Sequence, residues 1–220
     1  MIRGGKIFLA ILGLPKTLYF NFKYFDFRHA IQLPVLVSHR VNLEKCGGTV
    51  KIDAPIHFGM VKLGYGDVGF FDHRQVRSSW KVGGAVLFHG AANLGNGFRI
   101  YCGGLLEFGA NFKMSCESQI YCFKKISFGE DVLVSWETLF MDSDFHKVIV
   151  DNQISNSPKE ITIGDRVWIG CRCVILKGAW VSSDVIIAAN STVAGLFAEP
   201  ETAIGGSPAK IIKRGVKWEA

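Results

Sequence analysis

An aliphatic residue returns at every sixth position in the C-terminal half of the chain. The series comprises Ile163, Ile169, Ile175, Val181, Ile187 and Val193, and small residues often follow its members. A period of six fits neither the 3.6-residue repeat of a helix nor the two-residue alternation of one long strand. It predicts short strands joined by sharp turns, each strand directing one aliphatic side chain into a narrow interior. The pattern therefore predicts a prism-shaped parallel solenoid and excludes an amphipathic helix.

The same spacing continues upstream, but its phase changes. Three earlier series of apolar residues, six positions apart, run from Val82 to Leu106, from Phe108 to Ile126 and from Phe128 to Phe140. Successive series are displaced by two residues, as between Leu106 and Phe108, which indicates an adjustment at the corners between turns of the solenoid.

These boundaries divide the chain. Residues 50–220 are predicted to form the solenoid, and residues 1–49, which lack the repeat, an N-terminal extension or cap. Residues 146–160 are polar and have no sixfold spacing, so we expect a loop that projects from the prism. Residues 198–220 follow the last repeat and are expected to form a short C-terminal helix or tail. The predicted fold class is all-β.

Composition and charge narrow the class of protein. Hydrophobic residues make up 49% of the chain and charged residues 20%, which is typical of a globular protein. The net charge of +6 favours an anionic partner such as nucleic acid, an acidic membrane surface or a phosphate-rich small molecule. The six cysteines lack the paired spacing of a zinc site, so no metal is expected, and a reduced, cytoplasmic compartment is favoured.

The first 49 residues interleave basic and aromatic side chains, as in LYFNFKYFDF. Capping of the open end of the solenoid is the favoured interpretation, because repeat proteins need caps. A membrane surface contacted through residues 1–30 is the second interpretation, and nucleic-acid binding is a distant third. The apolar run from Ile7 to Leu14 is far too short to span a bilayer.

Three segments carry a resemblance to a known family. They are ITIGDRVWIGCRCVILKGAWVSSDVIIAANSTV, the stretch MDSDFHKV and the segment AIGGSPAKIIKR. Over roughly residues 50 to 218 the chain resembles the hexapeptide-repeat acyltransferases, which include maltose, galactoside and capsular polysaccharide O-acetyltransferases. The resemblance implies a left-handed parallel β-helix and a homotrimer with active sites between subunits, where acetyl-CoA lies along each cleft. Leu176 and Ser182 stand where the family commonly has glycine, and AANS replaces its AGS turn.

Acyl transfer from a thioester to a hydroxyl needs a base, and histidine is the side chain best tuned for that task near neutral pH. His146, at the root of the expected loop, is predicted to be this base. Asp144 is favoured as the residue that orients the imidazole, and Asp142 as a substrate-binding residue. The alternative is a surface histidine in an acidic turn. Structural or solvent-exposed roles are favoured for three other histidines, His57, His73 and His89.

The cofactor contacts come from the resemblance. It implies a pantetheine groove lined by Gly170, Ala188 and Ser191. Lys210 and Arg214 belong to a basic cluster suited to the phosphates of CoA, with a solvated basic tail as the alternative. Trp168 is expected to pack on the cofactor or on a neighbouring subunit.

The resulting prediction is an acetyl-CoA-dependent O-acetyltransferase acting on a sugar or polysaccharide-precursor hydroxyl, by direct transfer with a histidine general base. One alternative is N-acetylation of an amino sugar or antibiotic, and another is a non-catalytic β-helix scaffold. The expected partners are a saccharide acceptor and two further copies of the chain, with no nucleic acid. The expected location is the cytoplasm or the inner face of the membrane.

Overall fold

The predicted solenoid is confirmed. A computed structural model describes residues 2–66, 68–69, 71 and 76–219, with side chains from residue 9 onward. Three sheets, named A, B and C, form the sides of a left-handed parallel β-helix. Each turn of the prism, called a coil, supplies one strand to each sheet in the order A, B, C.

The first four coils precede the projecting loop. Their strands are β1 (Val35–Val37), β2 (Val41–Cys46), β3 (Thr49–Ile52), β4 (Val61–Leu63), β5 (Ser78–Val82), β6 (Ala85–Phe88), β7 (Ala92–Leu94), β8 (Arg99–Cys102), β9 (Leu105–Phe108), β10 (Phe112–Met114), β11 (Gln119–Cys122) and β12 (Lys125–Phe128).

The remaining coils contain the loop and the C-terminal strands. Coil 5 has β13 (Leu133–Val134) and β14 (Leu139–Met141), then the loop with β15 (Ile149–Val150) and β16 (Gln153–Ile154), then β17 (Ile161–Ile163). Coils 6 and 7 have β18 (Trp168–Ile169), β19 (Val174–Leu176), β20 (Trp180–Val181), β21 (Ile186–Ile187), β22 (Thr192–Val193) and β23 (Leu196–Phe197). The chain ends with β24 (Thr202–Gly206) and β25 (Ala209–Arg214).

The phase changes in the sequence correspond to a change in coil length. Leu106 pairs with Ile126, a separation of 20 residues, whereas Thr162 pairs with Trp180, a separation of 18. In the longer coils the sheet C strands have four residues, and two of them face inward, as Leu106 and Phe108 do. The second inward residue lies two positions after the first, so the six-residue series resumes two residues later after each of these strands. The early coils are therefore larger than those after the loop.

Phenylalanines fill the larger coils. The rings of Phe88 and Phe108 stack with their centroids 5.1 Å apart, and those of Phe108 and Phe128 with theirs 5.6 Å apart. All three side chains are buried. After the loop the buried residues are mainly aliphatic, such as Ile175 and Val181, because an 18-residue coil encloses less space.

The predicted boundary between residues 49 and 50 is wrong for the solenoid, which begins at Val35. Strand β1 pairs with β4, and β2 pairs with β5, so coil 1 starts inside the predicted extension. The sixfold spacing is interrupted there because residues 53–60 separate β3 from β4 and residues 64–77 separate β4 from β5, so the first two coils have long connections.

Helix α1 (Ile2–Tyr24) and the short helix α2 (Phe27–Ala30) precede the first coil. Phe20 is fully buried and its ring lies 5.3 Å from that of Trp80, while Asn21 Nδ2 donates to Val35 O and Thr17 Oγ1 accepts from Val37 N. These contacts close the open end of the prism. Neither described helix is long and apolar enough to cross a membrane.

The C-terminal prediction of a helix or tail is corrected by the structure. Strand β24 extends sheet A, and β25 folds back on it as an antiparallel hairpin. Ala209 and Ile211 pack against the core, which gives β25 a partly buried alternating pattern that a tail would lack.

Candidate active site

The loop leaves the prism at the corner between sheets B and C in coil 5. It occupies residues 142–160 and contains the antiparallel pair β15 and β16. The predicted loop, residues 146–160, lies within it, and the exit comes four residues earlier than predicted. The stretch DSDFH forms the root of this loop.

Asp142 is a structural residue at the exit point. Its side chain is fully buried. Oδ1 accepts from Phe123 N at 2.8 Å, and Oδ2 accepts from Lys124 N at 2.7 Å and from Lys125 N at 3.0 Å. Both carboxylate oxygens are therefore used inside the protein, which supports a structural role for Asp142 in place of the predicted substrate contact.

The position of Asp142 has a physical reason. In the preceding coil the equivalent corner N–H groups of Gly103 and Gly104 donate to Cys122 O, at 2.8 and 3.3 Å. At coil 5 the main chain leaves as a loop and no longer offers its carbonyls in that way. The carboxylate of Asp142 replaces them, since buried N–H groups need acceptors.

Asp144 is held by two other residues. Its Oδ2 accepts from Lys177 Nζ and from Asn156 Nδ2, the latter at 2.8 Å. The hydrogen bond from Lys177, and then that from Asn156, lower the pKa of the Asp144 carboxyl. Lys177 Nζ also donates to Asn156 O at 3.0 Å. These three side chains clamp the two ends of the loop to coil 6.

The main chain of His146 is fixed while its side chain is exposed. Asn156 Nδ2 donates to His146 O at 2.8 Å, and Asn156 Oδ1 accepts from Val148 N at 2.7 Å. His146 N donates to Asp144 O at 2.7 Å across a tight turn in which Phe145 has a φ of +63°. Within the described part of the chain, no hydrogen bond or ion pair engages the His146 imidazole. The ring is free to meet a substrate.

Phe145 anchors the turn to the outside of the prism. Its ring meets those of Tyr121 and Phe123 edge-on, with centroids 5.6 and 4.9 Å apart, and Phe123 stacks on Tyr101 at 5.1 Å. Aromatic contacts of this geometry stabilise by roughly 0.5–1.5 kcal/mol each beyond burial. The residue before His146 is thus held by a row of rings.

The structure does not join Asp144 and His146 as a side-chain pair. The Asp144 carboxylate binds Lys177 and Asn156, and its contact with His146 is through the main chain. Asp144 therefore acts on the position of the loop.

Lys177 and Asn156 were not predicted. Lys177 follows β19, whose Leu176 pairs with Met141, so counting coils across the loop places it near residue 142.

The small residues predicted to line the groove lie together at the other edge of sheet B. Gly170 and Ala188 stack at the corner between sheets A and B, where their N–H groups bind Ile187 O and Ile204 O at 2.8 Å. Ser191 Oγ donates to Ala188 O at 2.6 Å. A Cβ on Gly170 would lie 2.6 Å from the Ala189 nitrogen, so this glycine is required by the next coil.

The two basic residues predicted to bind phosphate, Lys210 and Arg214, lie at different ends of strand β25. Lys210 is exposed opposite Gly205, whose backbone borders Ala188 and Ser191, so it joins the small-residue row. Arg214 lies at the far end of β25 opposite Thr202, and its Nε binds Glu199 Oε1 at 2.7 Å.

Trp168 and the remaining candidates lie elsewhere. The exposed Trp168, on sheet A, donates to Ser135 Oγ at 3.2 Å, and its ring lies 6.2 Å from that of Trp218. His57 is exposed, His89 Nδ1 is 3.7 Å from an Asp53 oxygen, and His73 lies outside the described residues. The described residues contain no group of three side chains suited to hold a metal.

Comparison with known proteins confirms the resemblance inferred from the sequence. Residues 160–195 match the family model described as bacterial transferase hexapeptide (six repeats). A Klebsiella pneumoniae protein named "Uncharacterized 24.8 kDa protein in cps region" is 36% identical over 103 residues, 47% of this chain and 46% of that protein. The Escherichia coli (strain K12) protein named "Putative lipopolysaccharide biosynthesis O-acetyl transferase WbbJ" is 29% identical over 121 residues, 50% of this chain and 61% of that protein. The chain spans about half the length of the curated relatives it matches.

The fold is also similar to a solved structure, that of the polySia specific acetyltransferase NeuO. The TM-score is 0.52 at 22% sequence identity, over 84% of this chain and 78% of that one. At this identity the similarity establishes the fold.

Proposed function

We propose that the chain is an acetyl-CoA-dependent O-acetyltransferase that modifies a sugar or polysaccharide-precursor hydroxyl, with His146 as the general base. The observation that carries the proposal is the loop root, where the main chain of His146 is fixed and its imidazole is free. Relatives named as acetyltransferases support the reaction class.

The chemistry follows from these positions. The imidazole of His146 accepts the proton of the acceptor hydroxyl as that oxygen attacks the thioester carbonyl. The new ester C–O bond forms, the C–S bond breaks, and the proton passes to the thiolate that leaves. Because contacts of Asn156 and Phe145 already hold the main chain of His146, little conformational entropy is lost when the substrate binds.

Acetyl-CoA is the acyl donor in this proposal, and part of the predicted groove fits it. Ala188 lies partly exposed at this corner, and the exposed Lys210 follows in the same row with a cation for a phosphate. Ser191 is buried and bonded to Ala188 O, so its part is to hold the corner. Arg214 fits less well, because it lies about 13 Å along β25 from Lys210, at ~3.3 Å per residue.

A homotrimer with shared sites forms the next part of the proposal. Its support is the loop hairpin, which exposes four large apolar side chains: Val148 at 50%, Ile149 at 65%, Val150 at 54% and Ile154 at 49%. Within the described part of a single chain nothing covers these side chains. We propose that a neighbouring prism covers them in the trimer. His146 and the Ala188 corner also lie at opposite edges of sheet B, which is consistent with a site built between chains.

The enzyme is further proposed to work in the cytoplasm, at the inner face of a membrane contacted by residues 1–30. The exposed apolar side of α1 supports this contact. Such a position suits the modification of a lipid-linked glycan.

The test is turnover by His146→Ala, with His89→Ala as the matched control. We expect His146→Ala to lower the rate of CoA release roughly 10²- to 10⁴-fold, the usual contribution of a general base, and His89→Ala to leave it unchanged. Acetyl-CoA is supplied with panels of saccharide hydroxyl and amino-sugar acceptors. Activity of His146→Ala close to that of the unaltered chain would refute the assignment. Turnover with amines alone would move the reaction to N-acetylation.

A further inference from the structure

A cavity lies at the N-terminal end of the prism, beneath the N-terminal half of α1. Its volume is about 420 Å³. Leu9 and Ala10 of α1 form one wall, and Arg40 and Lys62 from the first two coils contribute positive charge. No acidic side chain lines the cavity among the residues that the structure describes. The cavity therefore favours an anion.

Two buried polar atoms in its lining residues lack a partner within the described structure. They are Nδ1 of His39 and Oδ1 of Asn93. Arg40 Nε donates to His39 Nε2 at 3.3 Å, so the neutral ring carries its proton on Nδ1 and offers it as a donor. Buried polar groups are nearly always hydrogen-bonded. Both atoms are enclosed within the protein, so the charged groups that the cavity offers to a ligand are those of Arg40 and Lys62.

The outward side of α1 is apolar beside this cavity. Ile11, Leu14, Leu18 and Phe22 recur at helical spacing and are 60%, 44%, 40% and 48% exposed. The opposite side of the helix faces the prism through Gly13 and Phe20. A helix that is apolar on its outer side is typical of segments that lie in the membrane interface.

Aromatic and basic residues continue this outward surface. Tyr19 is 53% exposed and Phe27 of α2 is 72% exposed, and the ring of Phe27 lies 6.1 Å from that of Phe22. Lys23 and Arg28 are exposed beside them. Aromatic rings favour the headgroup level of a bilayer, and basic side chains favour anionic lipids. The charge and the apolar side thus fit the same partner.

We propose that the cavity binds the phosphate of an anionic membrane phospholipid while the outward side of α1 lies among the lipid acyl chains. The inference rests on the membrane contact of the proposed function and is independent of the acetyl-transfer chemistry. The headgroup phosphate meets Arg40 and Lys62. Leu9 and Ala10 lie where the headgroup joins the acyl chains.

The test is co-sedimentation of the full chain with phosphatidylcholine vesicles, with and without phosphatidylglycerol. We expect binding to both and a clear preference for phosphatidylglycerol. The double variant Arg40→Gln/Lys62→Gln should lose roughly 25-fold in affinity for the anionic vesicles, about fivefold per cation, and keep its affinity for phosphatidylcholine. Lys62→Gln alone, an exposed position, should lose about fivefold and guards against misfolding of the double variant.

Matched controls separate the contributions. Arg172→Gln/Lys213→Gln removes the same charge at exposed positions in coil 6 and the C-terminal hairpin. These positions lie three or more coils from the cavity, roughly 14 Å at ~4.8 Å per coil, which exceeds a Debye length, so affinity should change less than about threefold. Ile11→Ser/Leu18→Ser should abolish binding to both vesicle types.

Each failure has its own meaning. Preference for phosphatidylglycerol that survives Arg40→Gln/Lys62→Gln would overturn the headgroup site and leave the membrane contact standing. Absence of vesicle binding by the unaltered chain would overturn both, while CoA release in the acetyltransferase assay would still report on the proposed reaction. Thermal stabilisation by glycerol 3-phosphate without vesicle binding would assign the cavity to a soluble phosphate ester and refute the lipid.

Discussion

Replacement of Asp142 by asparagine tests whether the first aspartate of DSDFH serves the fold or the substrate. Its carboxylate accepts three main-chain hydrogen bonds from Phe123, Lys124 and Lys125 at 2.7 to 3.0 Å, in a fully buried position. Asparagine keeps the shape but has one acceptor oxygen. Its amide group would then face an N–H donor, so at least one buried N–H loses its partner.

The size of the effect follows from these contacts. Hydrogen bonds to a charged group contribute about 1.5–3 kcal/mol each, and an unsatisfied buried donor costs about 1–3 kcal/mol. With the two bonds to one oxygen retained, we expect Asp142→Asn to lower the free energy of unfolding by about 3 kcal/mol. For a chain of this size that corresponds to a fall in Tm of about 6–12 °C.

The assay is thermal and urea unfolding followed by circular dichroism, with Asp151→Asn as the control. Asp151 is exposed in the hairpin turn with a φ of +49°, a conformation that asparagine tolerates, so its replacement should stay within about 0.5 kcal/mol. An Asp142→Asn protein with unchanged Tm and a raised KM for the acceptor would refute the structural role and restore the substrate-binding one.

Two further predictions concern the cofactor row and the loop clamp. Lys210→Ala should raise the KM for acetyl-CoA more than Arg214→Ala does, because only Lys210 borders the Ala188 row, and equal effects in steady-state kinetics would contradict that placement. The pKa of Asp144 is lowered from 3.8 by Lys177 and then by Asn156, so the clamp stabilises fully above that value and is lost as pH falls through the lower folded pKa. Hydrogen exchange of the loop should therefore be unaffected by the clamp's titration down to about pH 5. The protection factor, which is the intrinsic exchange rate at each pH divided by the observed rate, should fall in more acid solution in the unaltered chain and should be low throughout in Lys177→Met. A loop that keeps its protection factor in strong acid would count against the clamp.

The solenoid was predictable because its spacing is a local property of the sequence. Side chains such as Ile175 and Val181 face one narrow interior, so the six-residue period survives without knowledge of contacts. The first coil was not predictable in this way. Residues 64–77 separate β4 from β5, and Val35 is assigned to the prism only by its pairing with Val61.

The candidate site was predictable only in part, because most of its contacts join residues that are far apart in the sequence. His146 could be selected because a motif places it at the edge of the repeat. Lys177 and Asn156 come from the next coil and from the far side of the loop, and the sequence carries no local sign that they meet Asp144. The contacts of Lys177 and Asn156 with Asp144 are therefore known only from the three-dimensional structure.

The loop exit explains why acidic residues precede His146. When the chain leaves the prism at Asp142, the corner of coil 4 loses the carbonyls that the equivalent corner of coil 3 receives from Cys122, and the Asp142 carboxylate supplies acceptors in their place. Two residues later, Asp144 meets Lys177 of the following coil, which ties the departing chain to the returning prism. The two carboxylates are thus both used in holding the exit. Of the side chains of Asp142, Asp144 and His146, the imidazole is the one that makes no hydrogen bond within the described residues, on a main chain that its neighbours keep in place.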